Sequence, residues 1–206
     1  MQPDVSRVLA SLRAYASQYP EEGAVVSLFT DFLQSHQATF ERAHPPGHWT
    51  GSAWLVSADG ERVLLMHHRK LDRWLQPGGH ADGDTDLARV ALREAREETG
   101  VTGLCVEGGI FDIDRHRIMG HIPVAHPGGP ASPFAFAPGE RSPVRANEPE
   151  HWHYDVRYVV RAGTDERFTI NEESKALAWY PVAEVADDAG FDTSLRRMAR
   201  KWLLHR

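Results

Sequence analysis

Residues 77–101 read PGGHADGDTDLARVALREAREETGV. The second half of this stretch predicts an α-helix over residues 85–99, because Asp84 or Thr85 can cap its N-terminus and Gly100 stands where a left-handed C-terminal residue is needed. The first half begins with a Pro-Gly-Gly loop, in which the missing side chains let the backbone approach a ligand closely. The stretch therefore predicts a close-approach loop followed by a capped helix.

Three glutamates share one face of this predicted helix. Glu94, Glu97 and Glu98 are three and four positions apart, which makes them neighbours on a helix surface. Carboxylates at these spacings repel one another, and hard oxygen ligands on a rigid face suit Mg²⁺ or Mn²⁺. The alternative is a solvated acidic face, which Arg93 and Arg96 could partly neutralise. The Pro-Gly-Gly loop favours the metal site, because its carbonyl oxygens are further hard ligands.

The same residues resemble the signature of the Nudix hydrolase superfamily. That signature is G-x5-E-x7-R-E-U-x-E-E-x-G-U, where U is an aliphatic residue. One position departs from it, because Thr85 stands where the family has its first glutamate. The resemblance extends over roughly residues 48–185. The matching positions are Gly79, Arg93, Glu94, Ala95, Glu97, Glu98, Gly100 and Val101.

The resemblance implies a fold and a reaction. The fold class is α/β (α+β), with a mixed β-sheet sandwiched between α-helices. The reaction is hydrolysis of the diphosphate linkage in a nucleoside diphosphate joined to a further group X. In this reaction water attacks phosphorus, and divalent cations offset the charge on the bridging and leaving oxygens. The implied protein is a pyrophosphohydrolase that uses Mg²⁺ or Mn²⁺.

The resemblance also implies roles for individual residues. Four of them would hold the metal ions: Glu94, Glu97, Glu98 and, through its carbonyl oxygen, Gly78. Arg93 would pair with a glutamate and hold its rotamer. Either Glu94 or Glu97 would deprotonate the attacking water. In many family members a glutamate from a distal loop shares that task, and the candidates in this sequence are Glu172 and Glu173.

A second group of polar residues lies in HWHYDVR, residues 151–157. Strand alternation places His151, His153, Asp155 and Arg157 on one face. This face could bind a transition metal such as Zn²⁺ or contact substrate phosphates; the alternative is an ordinary polar strand face lining a cleft. Further histidines would contribute if the fold brings them close, although their spacings match no standard zinc motif. They are His80, His116, His121 and His126. The residues suggested for substrate binding are Arg69, His80, His153 and Arg157.

Helical and extended patterns alternate along the rest of the chain. Apolar residues at spacings of three and four predict an N-terminal helical hairpin within residues 1–46 and a C-terminal helix over 192–204. We therefore expect a helical extension, 1–46, and a Nudix domain, 47–206. Residues 126–150 predict a long irregular loop that, with the hairpin, determines the substrate. Short apolar runs predict strands at 52–57, 62–68, 104–107, 110–114, 151–161 and 176–180.

Composition limits the class of protein. The chain has 23 Lys and Arg against 29 Asp and Glu, a net charge of -6, so it lacks the basic field that an extended nucleic acid needs. The sequence has no apolar stretch of membrane-spanning length, and residues 1–10 lack the pattern of a secretory signal, so we expect neither feature. The single cysteine, Cys105, excludes an internal disulfide and is predicted to be a buried small apolar residue. We expect a cytoplasmic protein that acts on a small nucleotide or another diphosphate, with a homodimer left open.

Two other functions stay open at this point. A ligand-binding module could keep the fold without catalysis, and Thr85 favours it. A Nudix-fold isoprenoid diphosphate isomerase would use a cysteine and a histidine-rich metal site, and the 12 histidines favour it. Cys105, however, follows the signature rather than preceding it. The pair Glu97 and Glu98, which silent modules usually lose, favours hydrolysis over both alternatives.

Overall fold

A computed structural model describes residues 5–119 and 149–205. The predicted loop over 126–150 therefore lies outside the described residues except for its last two positions, and so do His121 and His126. The helices are α1 (Val5–Gln18), α2 (Gly23–Ser35), α3 (Leu87–Thr99), α4 (Val182–Asp187) and α5 (Thr193–His205). The strands are β1 (Gly47–Val56), β2 (Arg62–His68), β3 (Arg73–Leu75), β4 (Gly78–His80), β5 (Cys105–Ile118), β6 (His151–Arg161) and β7 (Ser174–Pro181).

The strands form one mixed sheet. Its main path is β3-β2-β1-β6-β5, while β4 pairs with β1 and β7 pairs with β2. β1 and β6 run parallel, with Gly47 opposite Trp152 and Val56 opposite Arg161, and the other pairs are antiparallel. A parallel pair needs a long connection, and here β5 lies within that connection.

Helices cover both faces of the sheet, as predicted. Side chains alternate between the two faces of β1. Trp49 and Leu55 therefore lie in one hydrophobic core, which also contains residues of α1, α2 and α3. Trp54 and Val56 point into a second core, beneath α4 and α5. In the described part of the chain, no helix combines the length and the apolar character of a membrane span.

The N-terminal helices pack directly on the sheet. Phe32 of α2 stacks on Tyr154 of β6, with 3.8 Å between ring centroids. Lys201 of α5 donates hydrogen bonds to the Tyr15 hydroxyl at 2.8 Å and to a Glu22 carboxylate oxygen at 2.7 Å. These helices therefore share the main hydrophobic core instead of enclosing one of their own.

Helix α3 begins later than predicted. Its capping residue is Asp86, whose carboxylate accepts a hydrogen bond from the backbone N–H of Arg89 at 3.2 Å. Neither of the predicted capping residues caps the helix. Asp84 forms an ion pair with the Arg89 guanidinium, and Thr85 precedes the helix. At the other end Gly100 has the expected left-handed conformation, with φ of 69°.

The edge strand β5 corrects two sequence predictions. The strands expected at 104–107 and 110–114 are one strand, Cys105–Ile118, whose pairing with β6 shifts register between Glu107 and Ile110. Such an irregularity interrupts the two-residue alternation, so the sequence pattern breaks where the strand does not. Cys105 begins this edge strand and is exposed, so the prediction of a buried thiol is wrong.

Candidate active site

Helix α3 and strand β4 approach each other closely. The backbone N–H of Gly78 donates to the carboxylate of Glu98 at 2.9 Å, and Glu98 is only 6% exposed. A Cβ on Gly79 would lie 2.5 Å from the carboxyl carbon of Glu94, well inside any normal contact. Gly79 therefore leaves the space that Glu94 needs where the backbone of β4 meets the carboxylates of α3.

Arg93 fixes the orientation of Glu94. Its guanidinium donates to Glu94 Oε1 at 2.7 Å and to the backbone carbonyl oxygen of His80 at 2.9 Å. The two bonds join α3 to β4 through one side chain. They provide the geometry that the predicted pairing of Arg93 with a glutamate requires.

Burial and the neighbouring carboxylates raise the pKa of Glu94 and of Glu98. Burial is the largest influence on Glu98, and together with the charges of Glu94, Glu173 and Glu97 it raises the pKa of Glu98 to about 8. The hydrogen bond from Gly78 opposes this shift. Burial also raises the pKa of Glu94. Crowded, desolvated carboxylates are stabilised by a nearby positive charge, so this cluster is suited to a cation.

The predicted distal glutamate reaches this cluster. Glu173, just before β7, lines the same cavity as Glu94, whereas Glu172 does not. Arg69 is not among the lining residues. It donates instead to the backbone carbonyl oxygens of Glu172 and Ser174, each at 2.9 Å. Arg69 therefore holds the loop that carries Glu173 and is not brought together with the other predicted substrate-binding residues.

A cavity of about 710 Å³ lies in front of these residues. Glu94, Glu98 and Glu173 line one part of it, and Lys70 and Arg117 add positive charge. The predicted residues His80, His153 and Arg157 line it as well. Its volume falls within the range of about 300–1,000 Å³ that is typical of small-molecule sites.

The sequence places this arrangement in a known family. A family model described as the NUDIX domain matches residues 46–202. The chain belongs to the Nudix family. This match confirms the resemblance carried by the Gly79 to Val101 signature. No curated protein matches the Nudix chain.

Solved structures similar to this Nudix chain share its fold. A NUDIX-family hydrolase from Clostridium perfringens is 22% identical, with a TM-score of 0.50, and the match covers 77% of this chain and 98% of that one. An Ap4A hydrolase from C. elegans is 14% identical, with a TM-score of 0.50 and coverages of 76% and 95%. The E. coli dihydroneopterin triphosphate pyrophosphohydrolase is 15% identical, with a TM-score of 0.50 and coverages of 77% and 96%. At these identities the similarity establishes the Nudix fold, because one fold hosts many functions.

A group of histidines lies next to the Nudix glutamates. The parallel register of β1 and β6 places His48 opposite His153, and the antiparallel register of β5 and β6 places His116 opposite His153. The Nε2 atoms of His151 and His153 are 3.1 Å apart. Ring centroids of His48 and His80 are 4.9 Å apart. The predicted histidine face is thus joined by residues of three other strands.

Burial lowers the pKa of two of these imidazoles, those of His48 and His153. Burial is the largest cause that lowers the pKa of His48 to about 3, with the neighbouring His80 and His151 lowering it further. Burial likewise lowers the pKa of His153, and the surrounding histidines add to the effect. A neutral imidazole carries the free electron pair that a metal needs, so His48 and His153 are suited to act as metal ligands.

His48 was missed by the sequence analysis. The first strand was predicted to begin at residue 52, whereas β1 begins at Gly47. The signal that could have found it is the alternation of His48, Thr50 and Ser52, which places them on one face. That face becomes part of a histidine group only because β6 pairs with β1 and brings His153 opposite His48.

The surroundings of Arg157 differ from the predicted contact with substrate. Its guanidinium is 3% exposed and pairs with Asp155 at 2.7 Å, Asp112 at 3.1 Å and Asp114 at 3.3 Å. Its donors are therefore taken up by carboxylates, although the residue borders the cavity. Arg197 of α5 pairs with Asp112 and Asp114 as well, so the cluster joins the Nudix sheet to the C-terminal helix.

This buried cluster predicts a loss of stability in acid. Burial alone would raise the pKa of Asp112 and of Asp114, but Arg197 and Arg157, with His116 beside Asp114, hold both below their ordinary values. The unfolded chain therefore takes up protons first as the pH falls. We expect the contribution of these groups to stability to be complete above about pH 4 and to be lost below it.

Urea unfolding at several pH values tests this expectation. The free energy of unfolding should fall between about pH 4 and pH 2. The variant Asp112→Asn is the control, because it removes one of the titrating groups and should flatten that fall. A free energy that is constant over this range in the natural protein would contradict the prediction.

Proposed function

We propose that this Nudix chain hydrolyses the diphosphate linkage of a small nucleotide, or of a related diphosphate, with Mg²⁺ or Mn²⁺ as cofactor. It is a Nudix-type pyrophosphohydrolase. The observation that carries the proposal is the cluster of desolvated carboxylates, Glu94 and Glu98, held against the glycine backbone at one side of a nucleotide-sized cavity.

The donor set fits a hard divalent cation. Glu94, Glu97, Glu98 and the carbonyl oxygen of Gly78 would hold it, and all of these ligands are oxygens. The raised pKa of Glu98 supports the fit, because burial and, after it, the neighbouring carboxylates disfavour its negative charge, which a cation would stabilise. When bound, the cation supplies charge stabilisation to the phosphoryl oxygens and acidifies water.

The residues of the chain have two roles in this reaction: one orients a glutamate, and others accept a proton. Arg93 keeps Glu94 in one rotamer through its bonds to Glu94 and to the His80 carbonyl oxygen. Glu94 or Glu97 accepts the proton of the attacking water, and Glu173, which borders the same cavity, shares this role. Arg93 is a positioning residue in this proposal.

The substrate occupies the rest of the cavity. His80 and His153 line it and are assigned to substrate binding. Arg157 supports the polar face through its three carboxylate partners, and Arg69 supports the loop of Glu173. We propose residues 47–206 as the Nudix domain and 1–46 as its helical extension, which is supported by a family match that starts at residue 46.

Two observations argue against the alternative functions. Cys105 is exposed at the start of an edge strand and is not among the residues that line the cavity, so it is badly placed for an isomerase. Glu97 and Glu98, the pair that modules without catalysis usually lose, are both present, and Glu98 accepts a hydrogen bond from the glycine backbone. Hydrolysis is therefore the function that the site supports best.

A hydrolysis screen tests the proposal. Nucleotide sugars, dinucleotides and nucleoside triphosphates would each be incubated with the protein and Mg²⁺, Mn²⁺ or Zn²⁺ in separate reactions. We expect nucleoside monophosphate or inorganic phosphate to be released with Mg²⁺ or Mn²⁺. Binding of these ligands by calorimetry without turnover, for every metal, would instead identify a binding module.

Gly79→Ala is expected to reduce hydrolysis strongly. The added methyl group would lie 2.5 Å from the Glu94 carboxyl group, so that side chain must move. Displacing a catalytic group by about 1 Å lowers kcat/KM by about a hundredfold. Steady-state kinetics on the best substrate of the screen would measure the effect.

Gly109→Ala is the matched control. Nothing lies within 4 Å of the Cβ that this change would add, so activity should stay unchanged. Equal kinetics for Gly79→Ala and the natural protein would show that the close approach of β4 to α3 is not needed for catalysis.

A further inference from the structure

Three histidines from three different strands converge beside the glutamate cluster. One ring nitrogen from each of His48, His80 and His153 lies within 4.8 Å of the others. They come from β1, β4 and β6, so only the sheet brings them together. The group is separate from Glu94, Glu97 and Glu98, which lie on α3.

His48 is the residue that an ordinary polar strand face does not explain. It is 1% exposed, and among the described residues neither ring nitrogen has a hydrogen-bond partner. A buried polar group without a partner costs about 1–3 kcal/mol, so such groups are rare unless a ligand or an ion satisfies them. The rings that surround His48 also belong to histidines. The centroid of its ring lies 4.7 Å from that of His153 and 4.9 Å from that of His80.

We propose that His48, His80 and His153 bind a second cation, a transition metal of the zinc class. Imidazole nitrogen suits zinc and its neighbours, whereas Mg²⁺ prefers the oxygen ligands of the glutamate cluster. Three protein ligands with one remaining position are typical of a zinc site that also binds water or substrate. His80 and His153 line the cavity, which leaves that position accessible to a ligand there.

The neighbours of this triad are arranged to support it. His151 contacts His153 through their Nε2 atoms, and the other ring nitrogen of His151 lies 2.8 Å from the Pro149 carbonyl oxygen. Such contacts hold ligand rings in one orientation. The Arg93 guanidinium bonds both the His80 carbonyl oxygen and Glu94, so the two cation sites share one cavity wall. A diphosphate substrate in this cavity would meet both.

The test measures zinc binding without substrate, so it does not depend on the proposed hydrolysis. The chelator-treated full chain would be titrated with Zn²⁺ by calorimetry in excess Mg²⁺, which competes for the oxygen ligands. Co²⁺ would replace Zn²⁺ in a parallel titration, because its visible absorption reports nitrogen ligation. We expect one Zn²⁺ per chain at this site and a rise in Tm on binding.

Variants locate the ion. His80→Asn and His153→Asn should weaken Zn²⁺ binding at least tenfold and remove the rise in Tm, while Glu97→Gln should leave both unchanged. His36→Asn, in the N-terminal hairpin, is the matched histidine control. His80 and His153 are only partly buried, so these two variants test the site without changing the fully buried His48.

Three results would overturn the proposal. They are an absence of Zn²⁺ binding by the natural protein, unchanged binding in both histidine variants, and binding that is lost in Glu97→Gln instead. The last result would assign the ion to the glutamate cluster. Failure of hydrolysis in the nucleotide screen would leave the zinc titration unaffected, so the two proposals fail separately.

Discussion

Glu98→Gln is expected to lower kcat/KM for the best diphosphate substrate by about a thousandfold, which corresponds to a loss of several kcal/mol of transition-state stabilisation. The substitution keeps the shape of the side chain but removes one charged metal ligand. It also removes a buried carboxylate that Glu94, Glu97 and Glu173 repel. The free energy of unfolding in the absence of metal should therefore be unchanged or slightly higher.

Two further variants make this prediction specific. Glu97→Gln should also abolish most activity, because Glu97 is on the same helix face and is assigned to the same cation. Glu172→Gln is the control, since this exposed glutamate lies outside the α3 cluster and is not assigned to the cation, so it should keep full activity. Unchanged rates in both Glu97→Gln and Glu98→Gln would remove the assignment of the metal to α3.

Arg157→Met is expected to lower the free energy of unfolding by about 3–5 kcal/mol. The arginine is 3% exposed and pairs with Asp112, Asp114 and Asp155. Methionine fills a similar volume but leaves these carboxylates without their central positive partner. An uncompensated buried charge is expensive, so the native state rather than the unfolded state is raised in free energy.

Urea unfolding measures this loss, with Arg62→Met as the matched control. Arg62 pairs with Glu166 at 2.6 Å, but its side chain is 38% exposed, and an exposed pair contributes about 0–1 kcal/mol. If Arg157→Met costs no more than Arg62→Met, the carboxylate cluster is not held together by Arg157. Arg197 and Lys201, which also pair with Asp112, would then be sufficient.

The elements predicted well are those that depend on neighbours in the chain. Helix α3, its glutamate face and the left-handed Gly100 follow from spacings of three and four residues and from the conformational freedom of glycine. The departure at Thr85 did not disturb the helix, because Asp86 caps it from the next position. Several neighbouring residues can each cap the helix, so the choice among them shifts the first residue of α3 but does not change the helix itself.

The errors arose where a residue's surroundings come from distant strands. Cys105 lies in an apolar run, yet it is exposed because it begins β5, and the side chains of this strand become buried only from Ile110 onward. Arg157 was correctly placed on the face with His153, but its carboxylate partners on β5 became visible only through the register of β5 and β6. His48 was missed because the alternation that it shares with Thr50 and Ser52 points to a site only once β6 is paired with β1.

The sequence by itself determined the Nudix signature, the helix that carries Glu94, Glu97 and Glu98, and the glycines that must approach it. These depend on residue type and spacing within some 25 positions, where the helical period sets which side chains are neighbours. Only the tertiary structure brings His48, His80 and His153 together and pairs Arg157 with three aspartates. Strand order and register are set by packing of the whole sheet, so residues more than 100 positions apart meet in one cavity.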